Sequence, residues 1–401
     1  MNVSEVAAWD RCFQTLKLGG LAGARIRRIV QVFSYNIMAS LPGDFQSAGV
    51  VASDSGAGIA IAVVIPCYRV RAHILGVLDK IGPEVSQIYV IDDMCPEHSG
   101  AFVRERCADS RVQVIEHSVN QGVGGAVITG YRRALANGAD IVVKVDGDGQ
   151  MDPRLISRFV RPIILGDADY TKGNRFYNPE DVKKMPLIRV IGNTLLSFLN
   201  KFSTGYWSIF DPTNGYTAIH TAVLEHLKLE SISRRYFFES DMLFRLNIIS
   251  CRVIDVPLVA SYGDEKSNLS INQIFFEFLW KHLRNTFKRI FYSYFLRDFS
   301  IASVQLIFGF AALLFGLTFG AHAWYQSAAA GVEASSGTVM VAALPIIIGV
   351  QLLLAFWSYD IARQPQIGLY PRLLNYGWGK DQQGRPVQPG VPANRRDGAE
   401  S

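Results

Sequence analysis

The sequence predicts an α/β domain with a mostly parallel sheet, followed by a basic amphipathic helix and a two-helix membrane hairpin. Short apolar runs alternate with helical stretches across residues 59–268, which is typical of a parallel sheet with helices on both faces. Two runs without Asp, Glu, Lys or Arg then cover residues 299–324 and 339–357. Each is long enough to cross a hydrocarbon core of about 30 Å as a helix.

Four buried strands are predicted from apolar runs of β-forming residues. They cover residues 60–66, 87–93, 112–117 and 139–148, and the helical stretches between them cover residues 71–81, 100–108 and 124–136. Ligands of such sheets bind beyond the carboxyl ends of the strands. The loops that follow these strands are therefore the first candidates for a functional site.

The charges around the two apolar runs predict how the hairpin lies in a membrane. Lys and Arg precede the first run and follow the second, whereas the loop between them has neither. The positive-inside rule then places the α/β domain of residues 59–268, both termini and the 358–401 tail in the cytoplasm. We therefore expect an integral membrane protein with two spans over residues 299–357. A buried pair of helices in a soluble protein is the alternative.

The segment before the first span, residues 269–298, predicts an amphipathic helix. Its apolar residues recur at intervals of three and four, and the basic residues between them, Lys281, Arg284, Lys288 and Arg289, are expected to form the outer basic face of a helix at a membrane surface. These apolar residues are Phe276, Leu279, Leu283, Phe287, Ile290 and Tyr294. The competing interpretation packs this face against the soluble domain.

Composition limits the remaining function classes. The formal net charge is only +5, which does not indicate a nucleic-acid partner. Five cysteines without a CxxC pair favour a reducing compartment over a disulfide framework or a zinc site. Residues 1–58 have no apolar signal-peptide core and are expected to form an extension and a linker.

Acidic residues concentrate at the carboxyl ends of the second and fourth predicted strands. Asp92 and Asp93 end the second, and Asp146 and Asp148 end the fourth, followed by Gln150. Like charges at one edge of a sheet repel unless a positive charge lies among them. Mg²⁺ or Mn²⁺ is the predicted cation because oxygen ligands suit a hard metal. Asp-Gly-Asp-Gly is also an ordinary turn sequence.

Eight motifs in fixed order over about 200 residues resemble the inverting family-2 glycosyltransferases of GT-A fold. The sequence is most similar to the polyprenyl-phosphate group, which includes the dolichyl-phosphate mannose synthases and the bactoprenol glucosyltransferases. The motifs are VVIPCYR, VIDD, NQGVGGAVITGYRRAL, VDGDGQMDP, KGNRF, RVIGN, DPTNGYTAI and YFFESDML. The resemblance implies a Rossmann-like, mostly parallel sheet and membrane helices after it.

The resemblance also implies roles for particular residues. Nucleotide-binding roles fall on Pro66, Tyr68, Asp92, Asp93, Asn120, Gly122 and Asp146, and metal-binding roles on Asp146, Asp148 and Gln150. Catalytic roles fall on Asp148, Arg175, Arg189, Glu239 and Asp241, and acceptor-binding roles on Lys172, Asp211, Asn214, Lys266 and Ser267. The segment DDMCPEHSG departs from the family, in which many members have a Gly-Ser pair and a further acid. This leaves the nucleobase open.

The expected activity is transfer of a hexose, glucose or mannose, from UDP- or GDP-hexose to polyprenyl phosphate, with inversion. Membrane lipids are the other expected partners, and a homo-oligomer is left open. Two alternatives remain: transfer to a hydroxyl of a glycolipid or polysaccharide, and a catalytically silent nucleotide-sugar-binding scaffold. NQGVGGAVITG only partly matches a dinucleotide loop, so a tight turn between strand and helix is favoured there.

Overall fold

The computed structural model describes residues 58–177, 187–258 and 271–375. Residues 1–57, Lys266, Ser267 and residues 376–401 lie outside this part of the chain. The predictions made for the N-terminal extension, for these two acceptor-binding residues and for most of the tail therefore stay predictions.

In the described residues, a seven-stranded mixed sheet forms the centre of the α/β domain. Its strands are β1 (Ile61–Cys67), β2 (Gln87–Asp92), β3 (Val112–Glu116), β4 (Ile141–Lys144), β5 (Tyr170–Asn174), β6 (Thr217–His220) and β7 (Val253–Pro257). The order is β3-β2-β1-β4-β6-β5-β7. Only β6 runs antiparallel to its neighbours β4 and β5. The mostly parallel sheet and all four predicted strands are confirmed. Strand β6 was not predicted, because its sequence TAIH has only two apolar residues and shows no apolar run.

The helices of the described residues alternate with the strands and then form the membrane-directed part. They are α1 (Ile74–Leu78), α2 (Ser99–Arg106), α3 (Val123–Ala136), α4 (Ile156–Ile164), α5 (Leu187–Thr204), α6 (Thr221–Leu224), α7 (Phe238–Ile248), α8 (Ile271–Phe291), α9 (Ile301–Ala330), α10 (Ser336–Ala362) and α11 (Tyr370–Asn375). A short π-helix, Tyr292–Leu296, extends α8. Each predicted helical stretch contains its helix within a few residues.

The core lies between the sheet and its helices. Strand β1 is buried along nearly its whole length because its Ile and Val residues face helices on both sides of the sheet. Helix α3 packs closely on β1, since a Cβ at Gly130 would come within 2.3 Å of Val64 Cγ1. This close contact fixes the start of α3 relative to the carboxyl end of β1.

Helices α9 and α10 form an antiparallel apolar hairpin. Close packing needs small residues at the contact, and a Cβ at Gly349 would lie 2.7 Å from the backbone nitrogen of Leu313. Both helices are long and apolar enough to cross a membrane, and only 22% and 11% of their most apolar windows are buried. A buried helical pair in a soluble protein would be covered instead, so the membrane interpretation is favoured.

A surface helix of a soluble protein buries its apolar face, whereas helix α8 buries polar residues and exposes apolar ones. Its polar residues His282, Asn285 and Arg289 are buried against the catalytic domain and the hairpin. Phe276 and Phe287 on the opposite face are 71% and 72% exposed. The expectation that Arg289 lies on the outer basic face is therefore wrong, because this residue pairs with a buried acid of α10.

Candidate active site

The candidate site lies at the carboxyl ends of β1 and β4, which are neighbouring parallel strands. The chain leaves β1 toward β2 on one side, while β4 pairs with β1 on the other. A crevice opens at such a reversal of strand order. Tyr68, 46% exposed, follows β1. Gly147, which follows β4, packs against Ile65 of β1 and against Val70 in the loop after β1. The loops after β1 and β4 therefore lie side by side.

The two acids that end β2 hold the neighbouring loops in place. The carboxylate of Asp92 accepts backbone N–H groups from Cys95 and Gly100, each at 2.6 Å. Asp93 accepts those of Gln121 at 2.8 Å and Gly122 at 2.7 Å. Both carboxylates are almost fully buried. They shape the predicted nucleotide pocket through the backbone, and direct contact with a nucleotide stays a prediction.

The glycines at the start of α3 allow another segment to approach. A Cβ at Gly122, where φ is +84°, would lie 2.6 Å from the carbonyl oxygen of Arg234, and a Cβ at Gly124 would lie 2.5 Å from that of Ser233. Gly125 N–H donates to Arg234 O at 3.1 Å. These glycines form a tight turn between strand and helix, as expected. Asn120 donates to the backbone oxygen of Asp93 beside them.

A buried lysine supplies positive charge among the acids of β4. Lys144 is 1% exposed, and its Nζ lies 2.9 Å from Asp146 Oδ1 and 3.1 Å from Glu239 Oε1. Burial alone would lower the pKa of Lys144, but the charges of Asp146 and Glu239 raise it above the ordinary value. This lysine was not among the predicted site residues, although a Lys inside the apolar run IVVKV was a visible signal.

The loop 146–152 keeps its remaining acids near the surface. Asp148 Oδ1 accepts the N–H of Gln150 at 2.9 Å, with Gly149 at a φ of +79° between them. Asp152 caps the following 3₁₀ helix, with Pro153 at its first position. Among the described residues no three His, Cys, Asp or Glu side chains cluster as a metal site. Mg²⁺ in phosphate sites binds one or two carboxylates plus phosphates, so the donor set Asp146 and Asp148 fits such a cation.

The loop 211–216, which contains the predicted acceptor-binding residues Asp211 and Asn214 and is called the acceptor loop below, covers the site from the β6 side. A Cβ at Gly215 would come within 2.4 Å of Asp146 Oδ2 and of Lys144 Nζ, so this glycine allows the loop to touch the acids. Lys172 is completely buried and donates to Asn214 O. Burial lowers the pKa of Lys172 to about 8. Its ammonium thus holds the loop from within instead of facing the crevice.

Arg175 and Asp211 form a bidentate pair at the end of β5. Arg175 Nε donates to Asp211 Oδ2 at 2.8 Å, and its Nη2 donates to Oδ1 at 3.0 Å. Asn214 Nδ2 also reaches Asp211, at 3.3 Å. Asp211 is 1% exposed, whereas the Arg175 side chain is 38% exposed. The predicted phosphate-binding arginine therefore also anchors the acceptor loop.

Asp255 of β7 is a further acid at this edge that the sequence analysis missed. Its Oδ2 accepts Asn174 Nδ2 at 3.0 Å and Phe210 N–H at 3.3 Å. Burial raises the pKa of Asp255 to about 6. No pattern in the sequence isolates this residue, because VIDVP reads as an ordinary strand.

Glu239 and Asp241 begin α7 but point to different neighbours. Glu239 faces Lys144 and so belongs to the site. Asp241 accepts the N–H of Ser233 at 2.9 Å, Arg245 Nε at 3.1 Å and Asn285 Nδ2 at 3.3 Å. Asp241 therefore joins α7 to α8, and the structure gives it a positioning role. Arg189 lies in the first turn of α5.

Acids, a buried lysine and a paired arginine thus lie together at the switch point of an α/β sheet, which is where such sheets bind their ligands. Residues 62–228 match the profile described as Glycosyl transferase family 2. The chain is 31% identical to a UDP-N-acetylglucosamine–dolichyl-phosphate N-acetylglucosaminyltransferase of Methanococcus voltae, over 51% of this chain and 86% of that protein. The chain belongs to glycosyl transferase family 2.

Further relatives carry related names. An undecaprenyl-phosphate mannosyltransferase of Micrococcus luteus is 30% identical over 49% of this chain and 82% of that protein. A polyprenol monophosphomannose synthase of Mycolicibacterium smegmatis is 29% identical over 49% and 75%. Solved structures that match part of the chain include a glucosyl-3-phosphoglycerate synthase of Mycobacterium tuberculosis with Mn²⁺ and UDP, at 21% identity and a TM-score of 0.42, covering 58% of this chain and 80% of that one.

Proposed function

We propose that this protein transfers a hexose from a UDP- or GDP-hexose to polyprenyl phosphate at the cytoplasmic face of a membrane, with inversion. The observation that carries the proposal is that Asp146, Lys144 and Glu239 meet at the sheet edge of a domain whose helices α5 and α8 expose apolar faces. The names of the relatives, which transfer mannose or N-acetylglucosamine to polyprenyl or dolichyl phosphates, support the acceptor class.

The apolar faces of α5 and α8 support a lipid acceptor. On α5, Leu187, Ile191, Leu195 and Phe198 recur at intervals of four and three, and all are exposed. The two helices pack together, and α8 leads into the first candidate span. Apolar faces of this kind lie in the lipid headgroup region. We propose that they hold the site at the membrane surface, where a polyprenyl phosphate presents its headgroup.

The acceptor phosphate would be its own nucleophile. A phosphate monoester with a second pKa of about 6 is largely a dianion near neutral pH, so it needs no general base. The protein must instead hold two anionic groups together. Arg175 and Arg189 would offset this repulsion, with Lys172 and Asp211 fixing the loop beside them. In-line attack would invert the anomeric carbon, giving a β-linked lipid from an α-linked donor.

Asp146, Asp148 and Gln150 would hold Mg²⁺ or Mn²⁺ beside the donor diphosphate. When bound, a divalent cation there would stabilise negative charge on the leaving diphosphate. Lys144 would keep Asp146 and Glu239 in place on the protein side. Tyr68 and Pro66 would contact the base, while Asp92 and Asp93 keep the loops around the nucleotide in position.

The direct test uses the full-length protein in mixed micelles with undecaprenyl or dolichyl phosphate. Radiolabelled UDP- and GDP-hexoses are supplied one at a time, and the lipid fraction is extracted and counted. We expect label in the lipid from one donor, and none with the corresponding polyprenol that lacks phosphate. Equal transfer to the polyprenol would favour a hydroxyl acceptor, and no transfer or hydrolysis of any donor would favour the silent scaffold.

The acceptor-phosphate mechanism also ranks two variants. Arg189→Ala should lower turnover more than Glu239→Gln, because charge neutralisation matters more than a base. The reverse ranking, with a rate that follows the titration of one carboxylate, would contradict it.

Topology is tested separately with a single cysteine placed in the loop 326–336. It should react only from the side opposite the catalytic domain, and labelling from the cytoplasm would exclude the hairpin.

A further inference from the structure

A polar pocket lies where the catalytic domain meets the end of the second candidate span. The ends of α7, α8 and α10 line it with Arg289, Arg297, Arg363, Asn247, Ser293 and Asp360. Asp360 balances Arg289, and Asp298 beside the pocket pairs with Arg363, so the charge of Arg297 is left without an acid among the ion pairs of the described residues. The pocket is separate from the residues that form the candidate active site.

The acid of this pocket is already fully bonded. Arg289 donates to both oxygens of Asp360, at 2.6 and 3.0 Å. Tyr294 Oη donates to Oδ1 at 2.7 Å, and Trp207 Nε1 donates to Oδ2 at 3.1 Å. Each oxygen therefore accepts two hydrogen bonds. Asp360 neutralises Arg289 and has no capacity left for the other two arginines.

The other donors of the pocket keep capacity for an anion. Arg297 uses Nη1 on Ile248 O and Ser250 Oγ, both at 2.9 Å, and Arg363 uses Nη2 on Asp298 at 2.9 Å. Within residues 58–177, 187–258 and 271–375, their remaining N–H groups have no hydrogen-bond acceptor, and neither do the side chains of Asn247 and Ser293. Guanidinium, amide and hydroxyl donors together suit phosphate oxygens.

The position of the pocket favours a lipid as its ligand. Arg297 precedes α9 by four residues, and Arg363 directly follows α10. Because α9 and α10 are antiparallel, both arginines lie at the same end of the hairpin, at the level of lipid headgroups. We propose that the pocket binds the phosphate of an anionic glycerophospholipid. This inference rests on the two-span topology of the proposed function, and its test needs no turnover.

The experiment measures lipid retention by native mass spectrometry of the full-length protein in neutral detergent. Wild type is incubated with phosphatidylglycerol, with phosphatidylcholine or with inorganic phosphate. We expect selective retention of phosphatidylglycerol, reduced about tenfold in Arg297→Gln and in Arg363→Gln, since each loses a charge-assisted bond. Arg284→Gln, which removes an exposed charge from α8, should retain lipid like wild type.

Three results would overturn the proposal. Equal loss in Arg284→Gln would indicate diffuse surface charge, and equal retention of phosphatidylcholine would remove the selectivity for anionic lipid. Binding of inorganic phosphate with the same sensitivity to both variants would indicate a site for a free anion. Arg297 also holds the end of α7, so the unfolding temperature of each variant is measured in the same detergent. Where Arg297→Gln unfolds, Arg363→Gln decides.

Discussion

Two of the buried charge groups in the described residues, those around Lys144 and around Asp360, differ in how completely their hydrogen bonds are satisfied. Around Lys144, the acids stay partly accessible, since the side chains of Asp146 and Glu239 are 28% and 11% exposed. Around Asp360, the pair with Arg289 is closed, with side chains 2% and 3% exposed and four donors on the carboxylate. The first group faces a crevice, whereas the second joins α8 to α10.

This difference separates charges that bind ligands from charges that hold the structure together. A buried carboxylate with all its lone pairs occupied stabilises one arrangement of the elements around it. A carboxylate that shares one lysine and faces solvent keeps lone pairs for a ligand. The accessible group is thus expected to control turnover, and the closed group is expected to control stability.

The largest effect is expected from Asp148→Asn. This change keeps the shape of the side chain but removes a charge at the predicted cation site. We expect kcat to fall about a thousandfold, because electrostatic stabilisation of the leaving group is worth several kcal/mol. Thermal unfolding should stay unchanged. Asp152→Asn in the same loop is the control, and an active Asp148→Asn protein, or full activity in excess chelator, would contradict the assignment.

Asp360→Asn should act on stability instead of catalysis. The change leaves the buried guanidinium of Arg289 without its carboxylate, which typically costs about 3 kcal/mol or more. The unfolding temperature in detergent should fall, while kcat of the folded fraction stays near wild type. The double variant Arg289→Met with Asp360→Leu removes both charges and should recover part of the loss. A double variant less stable than Asp360→Asn would exclude a closed ion pair.

Two neighbouring acids on α7 sharpen the same contrast. Glu239→Gln removes one partner of Lys144, so we expect kcat to fall about tenfold with little change in stability. Asp241→Asn weakens the bonds to Ser233 and Arg245, so it should lower the unfolding free energy by about 1–3 kcal/mol and leave kcat of the folded fraction unchanged. Steady-state kinetics beside chemical unfolding of both variants checks this, and matching profiles would remove the distinction.

The effect confined to the narrowest range of conditions is the pH dependence of stability at Asp255, because it disappears at low pH. Its folded pKa of about 6 lies above the ordinary value of 3.8, so the folded state prefers the protonated acid. That contribution is complete below pH ~4 and is lost as the pH rises through about 6. Asp255→Asn should therefore match wild type at low pH and exceed it above pH ~6, by at most about 3 kcal/mol. Glu225→Gln, an exposed acid, should not change the curve of unfolding free energy against pH.

The sequence by itself determined the α/β class, the first four strands along the chain and the two long apolar runs. These follow from local patterns, because an apolar run such as IAVVIPC or a long run without charges needs no partner to be recognised. The motif VDGDGQ likewise located the candidate cation site, and the glycines of NQGVGG were correctly interpreted as a tight turn.

Only the tertiary structure decided which charges meet. Lys144, Glu239 and Asp146 come together because the fold brings the start of α7 to the end of β4, although Lys144 and Glu239 are 95 residues apart. Arg289 appeared to belong to an outer basic face, yet the packing of α8 against α10 turns it toward Asp360, 71 residues away. Residue type and spacing fix a local face, whereas the partner of a buried charge depends on long-range packing, which a single sequence does not contain.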